Sequence, residues 1–191
     1  MTTRSPLARP QGGPRRRLER LDFTARVVLL MALCSTNATN LPAQEPTGLP
    51  PVVEALTSEW EGSGIPLGNQ AAFRMKWTPT RGGFVRLSYM NMWIDQNGDT
   101  TPVLSAEATY GVEGAAALGV WLDDRPQRLT LNAIMNDSSI VTEWVAPTET
   151  GRTEYVVRSP DEAVVRDFVI VDGVPQLFAE GTYRRARAPG R

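Results

Sequence analysis

Residues 71–95 read AAFRMKWTPTRGGFVRLSYMNMWID. In the first arm Phe73, Met75 and Trp77 share one face and Arg74 and Lys76 take the other, which is the period of two of a half-buried strand. Pro79 and Gly82-Gly83 then turn the chain, and a second arm runs from Phe84 to Asp95. The stretch reads as a β-hairpin with Trp77 and Phe84 in the core.

The same beat continues downstream. Runs of strand character span 101–112, 115–122, 128–135, 140–145, 153–158, 163–171 and 175–184, and 57–64 precedes the hairpin. Turn signals separate them: Asp123-Asp124-Arg125-Pro126, Asn136-Asp137-Ser138, Thr148 to Gly151, Ser159-Pro160-Asp161 and Asp172-Gly173. Asp95-Gln96-Asn97-Gly98-Asp99 has the look of a calcium loop, but it lacks the remaining ligands and the closing glutamate, so it reads as a turn. Only Val52 to Leu56 has room for a helical turn. About ten short strands joined by hairpin-length connections make an all-β chain of antiparallel neighbours. An open meander of that size would expose two edges, so closure into an up-and-down β-barrel is expected.

Length and composition agree with one domain behind a leader. The chain has 191 residues, 41% of them hydrophobic and 21% charged. Arg15-Arg16-Arg17 and Arg20 precede the apolar run Val27 to Cys34, and Leu41-Pro42-Ala43 follows as a cleavage site, the pattern of a signal peptide over residues 1–43. The apolar run is far shorter than the roughly 20 residues that span a bilayer. A twin-arginine signal is the second reading, weakened by Glu19 and Asp22. Lipid attachment through Cys34 is the third, with Leu33 where a small residue is wanted. Residues 44–56 then form a linker and the helical turn, 57–186 the barrel and 187–191 a basic tail. Export would leave a periplasmic or extracellular protein. Of 20 basic residues the leader takes seven arginines, leaving 13, and of 21 acidic residues it takes two, leaving 19. The resulting charge of −6 disfavours nucleic acid and anionic membrane surfaces as partners.

Two absences narrow the chemistry. The chain has no histidine, and Cys34 is its one cysteine. Histidine-dependent triads, cysteine nucleophiles, zinc sites with histidine or cysteine ligands and histidine-ligated haem are therefore excluded, and so are intrachain disulfides. Carboxylates, tyrosines, arginines, Lys76 and hydroxyls remain.

Several short motifs resemble the small lipocalin-like (calycin-type) barrel proteins of bacteria. They are Trp60-Glu61-Gly62-Ser63-Gly64, Gly82-Gly83-Phe84-Val85-Arg86, Trp121-Leu122-Asp123, Glu154-Tyr155 and Glu180-Gly181-Thr182-Tyr183-Arg184-Arg185. The resemblance covers roughly residues 57–186 and implies the barrel fold, but most of that group has no assigned function. Ser58 stands where lipocalins carry a glycine two residues before the first-strand tryptophan. The nitrobindin-like haem barrels are more distantly similar, and they rely on a histidine that this chain lacks, so no cofactor is expected.

A barrel interior either fills with side chains or holds a ligand. Alternation puts Arg86 with Phe84, Met90 and Met92, Arg166 with Val164, Phe168 and Ile170, and Glu180 with Phe178. If those faces point inward, Arg86 and Arg166 would fork onto the acidic head of an amphipathic ligand. Phe73, Trp77, Met90, Met92 and Phe168 would then line its tail. In the competing reading the arginines lie outside or pair with Glu107 and Glu180. Most of the five tryptophans are expected in the core, and one exposed at a barrel mouth would point to a stacking pocket instead. Two other classes stay open. One is a structural or protein-binding module of the cell envelope. The other is a hydrolase or isomerase using a carboxylate pair, Glu143 with Glu154 or Glu107 with Glu180, beside Tyr155 or Tyr183.

Overall fold

The computed structural model describes residues 48–125 and 127–187. The expected signal peptide, Cys34 and the end of the basic tail lie outside them. Ten strands form: β1 (Glu59–Gly64), β2 (Ala71–Pro79), β3 (Phe84–Ile94), β4 (Thr100–Glu113), β5 (Ala116–Asp123), β6 (Arg128–Met135), β7 (Ser139–Val145), β8 (Thr150–Ser159), β9 (Glu162–Val171) and β10 (Val174–Arg185). Each pairs antiparallel with the next, and β1 pairs with β10, from Trp60 opposite Arg185 to Gly64 opposite Gly181. The sheet is thus a closed up-and-down barrel with no free edge. No described helix is long and apolar enough to cross a membrane.

Alternation explains which side chains enter. On β2, Ala71, Phe73, Met75 and Trp77 are buried while Arg74 and Lys76 are exposed. On β6, Leu129, Leu131, Ala133 and Met135 point inward by the same rule. Glycines at the closing seam leave room for rings. A Cβ on Gly181 would collide with Phe73, and one on Gly62 with Tyr183, so the two rings stack at 5.6 Å over bare backbone.

One end of the barrel is plugged by α1 (Pro51–Leu56). Its proline stands in the first turn, where the missing N–H costs nothing. Val52, Val53 and Leu56 are fully buried, and the Trp60 indole donates a 2.8 Å hydrogen bond to the Leu56 carbonyl. Arg185 Nη2 donates to the Ala55 carbonyl at 2.7 Å while its guanidinium covers the Trp60 ring at 4.6 Å. This half of the barrel is solid: Trp77, Val85, Leu87, Ala108, Tyr110 and Ile140 fill it. Each large apolar side chain buried there contributes about 2 kcal/mol.

Two sequence expectations change. Phe84 is half exposed, because it begins β3 on the outer face and leans over Gly111. The break expected from Thr148 to Gly151 ends early, and Gly151 joins β8 opposite Trp144 and Val169. Asp95 to Asp99 is a turn in which Asp95 Oδ1 accepts from the amides of Asn97 and Asp99.

Candidate ligand-binding site

The end opposite α1 is open. Above the solid half lies a cavity of about 560 Å³, within the size range of small-molecule pockets. Its aromatic wall comes from seven strands, with Phe73 on β2, Tyr89 and Trp93 on β3, Tyr110 on β4, Trp121 on β5, Trp144 on β7, Tyr155 on β8 and Phe178 on β10. These rings touch one another: Phe73 and Tyr89 stack at 6.4 Å and Tyr89 tilts against Trp121 at 5.7 Å. Leu129, Leu131, Val165 and Val169 supply aliphatic surface. The mouth carries exposed apolar groups, including Leu67, Trp93 and Val103. Leu67, in the β1–β2 turn, holds a left-handed φ of 49° beside Gly68 and borders the cavity.

The polar groups inside are few. Asn91, Thr142, Thr153 and Asp167 line the cavity among the apolar residues. Thr153 Oγ1 donates a 2.6 Å hydrogen bond to Asp167 Oδ1, the one partner that the described residues give this carboxylate. Burial pushes the Asp167 carboxyl up to about 6, against the Thr153 hydrogen bond that favours ionisation. Asn91 Oδ1 is buried without a partner, and the Thr142 hydroxyl lies beside that of Tyr110 without a well-directed bond. All four tyrosines of the chain point inward. Burial raises every one of them, Tyr110 to about 12, so they are neutral hydroxyls at physiological pH.

Two further charged residues border the cavity, Arg125 and Glu149 at the rim. Arg125 is already engaged: its Nη2 donates to Asp123 Oδ2 at 2.6 Å and its Nε reaches both carboxylate oxygens. Trp121 Nε1 donates to the same carboxylate at 3.0 Å. Burial raises Asp123, but these bonds outweigh it and hold its carboxyl below the ordinary range. Among the described residues, no three of Asp, Glu, His or Cys converge as they would around a metal ion.

Of the seven residues marked in the sequence for a ligand, Phe73 lines the cavity. Trp77 is buried below it, stacked on Tyr110 at 5.8 Å and edge-on to Tyr155 at 5.2 Å. The register turns the other five away. Arg86 pairs with Thr78 and Thr109 and is exposed, and Met90 lies on the same outer side opposite Arg74. Met92 is buried opposite Ala72 and Pro102 but does not border the cavity. On β9 the inward face is Val165, Asp167 and Val169, so Arg166 and Phe168 lie outside. Arg166 forms an ion pair with Glu180, and Phe168 lies under the Arg152 guanidinium at 5.0 Å. The carboxylates Glu107, Glu143, Glu154 and Glu180 are likewise absent from the cavity lining, whereas Tyr155 borders it. The sheet wall separates Glu143 and Glu154 from the buried Tyr155 hydroxyl.

Three tryptophans, Trp93, Trp121 and Trp144, border the cavity, and Trp93 is 50% exposed at its mouth. A bulge where Leu177 and Ala179 flank Phe178 directs Phe178 inward beside Ala179. A second register shift, near Asn91 and Met92, lets Val103 and Leu104 both reach the cavity.

No family model and no curated protein matches the chain. Solved structures do. Rv2717c from M. tuberculosis superposes with a TM-score of 0.56 at 16% identity, over 73% of this chain and all of the other. The S-type phycobiliprotein lyase CPES from Guillardia theta follows with 0.50 and 13%, over 72% and 92%. The chain is a closed ten-strand antiparallel barrel. At these identities the likeness extends to the fold.

Proposed function

We propose that the protein is an exported lipocalin-like barrel that binds a small apolar or amphipathic molecule in its interior. The cavity of about 560 Å³, walled by aromatic rings and open at one end, carries this reading. A barrel evolved only as a scaffold gains stability by filling its interior, since unfilled space forfeits packing contacts. Here one half is filled to the floor formed by Trp77 and Tyr110, and the other is left open. Apolar residues exposed at the mouth give an entering ligand a surface to meet first. The leader pattern of residues 1–43 supports export. Without histidine the chain has no imidazole to offer haem, and no cofactor is proposed.

Native mass spectrometry of the full chain purified from its source tests the proposal. A small molecule retained at one per chain and released on unfolding is expected. A mass equal to the bare polypeptide, together with no uptake of apolar probes, would refute it.

A further inference from the structure

The interior of this cavity offers hydrogen-bond acceptors and no unengaged cation among the described residues. Asp167 is its one carboxylate below the rim, and Asn91 Oδ1 is a buried acceptor without a partner. The one basic side chain on the lining, Arg125, is forked onto Asp123. Arg86 and Arg166, the groups that would have suited an acidic head, do not border the cavity. We propose that the cavity selects a compact aromatic or aliphatic amine whose ammonium group meets Asp167 while its apolar body lies among the rings of Phe73, Tyr89 and Trp121. This rests on the binding reading above and names the class of ligand.

The surroundings of Asp167 suit that role. Thr153 from β8 fixes one carboxylate oxygen and leaves the other without a partner among the described residues. Tyr89 from β3, Tyr110 from β4, Tyr155 from β8 and Tyr183 from β10 all feel its charge, and all are neutral. Among the described residues no basic side chain compensates it, so an incoming ammonium would relieve an unpaired carboxylate in a desolvated site. Aromatic faces attract the same cation through their quadrupoles. A carboxylate ligand would meet a like charge and no unengaged cation among the described residues.

Calorimetric titration of the full chain with 1-naphthylmethylamine, 1-naphthylmethanol and 1-naphthoate tests this, because the three share a shape and differ in charge. At about pH 7.5 the amine is expected to bind about tenfold or more tighter than the alcohol, with the acid weakest. Asp167→Asn should bring the amine down to the alcohol and leave the alcohol unchanged. Lowering the pH through about 6 should weaken the amine alone in the unmodified protein, which covers the case of a variant that does not fold. An acid that binds as well as the amine, or an amine preference that survives both changes, would overturn the assignment and leave the binding reading standing. Failure of all three compounds to bind would overturn both.

Discussion

Thr153 Oγ1 donates to Asp167 Oδ1 across the β8–β9 pair at 2.6 Å, and this bond is the carboxylate's sole hydrogen bond to a described residue. A carboxyl so enclosed is held for a reason other than stability, since burial without a full set of partners disfavours its charged form.

The cost is measurable. Asp167 has its carboxyl raised to about 6 in the fold. The native state therefore holds this proton more tightly than the unfolded chain, and stability falls as pH rises from about 4 to about 6, then levels off. The full span is worth roughly 3 kcal/mol. Asp167→Asn is expected to be more stable than the parent at pH 8, with the difference vanishing near pH 4. Urea midpoints of both proteins across that range check it.

One side chain ties the plug to the closing strand in addition to its buried apolar residues. Arg185 spans Pro160, Thr57 and Ala55 by hydrogen bonds and covers Trp60. Arg185→Ala should cost about 2 kcal/mol through lost charge-assisted bonds and lost ring contact. Arg185→Lys should recover less than half, because an ammonium cannot reproduce the fork. Chemical denaturation of the three proteins compares them directly.

Gly151 answers to Trp144. A Cβ at 151 would overlap both the Trp144 ring and the Phe168 carbonyl, and the latter is backbone that cannot swing aside. Gly151→Ala is expected to destabilise by at least about 2 kcal/mol and to displace Trp144 from the cavity wall. Thermal melting and the near-ultraviolet tryptophan signal report the two effects.

The outer arginines should be silent in binding. Arg86→Ala removes an exposed side chain and should change stability by less than about 0.5 kcal/mol. Arg166→Ala breaks a partly exposed ion pair with Glu180, worth about 0–1 kcal/mol. A double variant is expected to take up apolar probes as the parent does. Reduced uptake would return these residues to the site.

Much of the fold was legible because period-two alternation and turn chemistry act locally. The strand Arg128–Met135 could be read residue by residue, and Pro51 with the apolar Val52, Val53 and Leu56 marks the helical turn. The site was less legible, because choosing a face requires register. On β9 one face carries Val164, Arg166, Phe168 and Ile170, and the other Ala163, Val165, Asp167 and Val169. Between Ala163 and Ile170 each face has one charge among apolar residues, so alternation alone cannot say which enters. Pairing with β10 decides it, since Asp167 lies opposite Ala179 and Arg166 opposite Glu180. On β3 the face with Val85, Leu87 and Tyr89 competes with that of Phe84, Met90 and Met92 in the same way. The bulge that points Phe178 inward leaves no mark in the sequence. Phe73 was legible as an inward residue of β2, and Trp93, a large aromatic just before the Asp95–Asp99 turn, lies at a barrel end.

A direct test is an equilibrium titration of the full chain with N-phenyl-1-naphthylamine, beside a variant in which Val165→Trp fills the cavity from β9. Saturable enhancement of probe fluorescence at one molecule per chain is expected for the parent. The filled variant should lose it while keeping its β-sheet circular dichroism. Equal uptake by both proteins, or none by the parent, would contradict a ligand-binding interior.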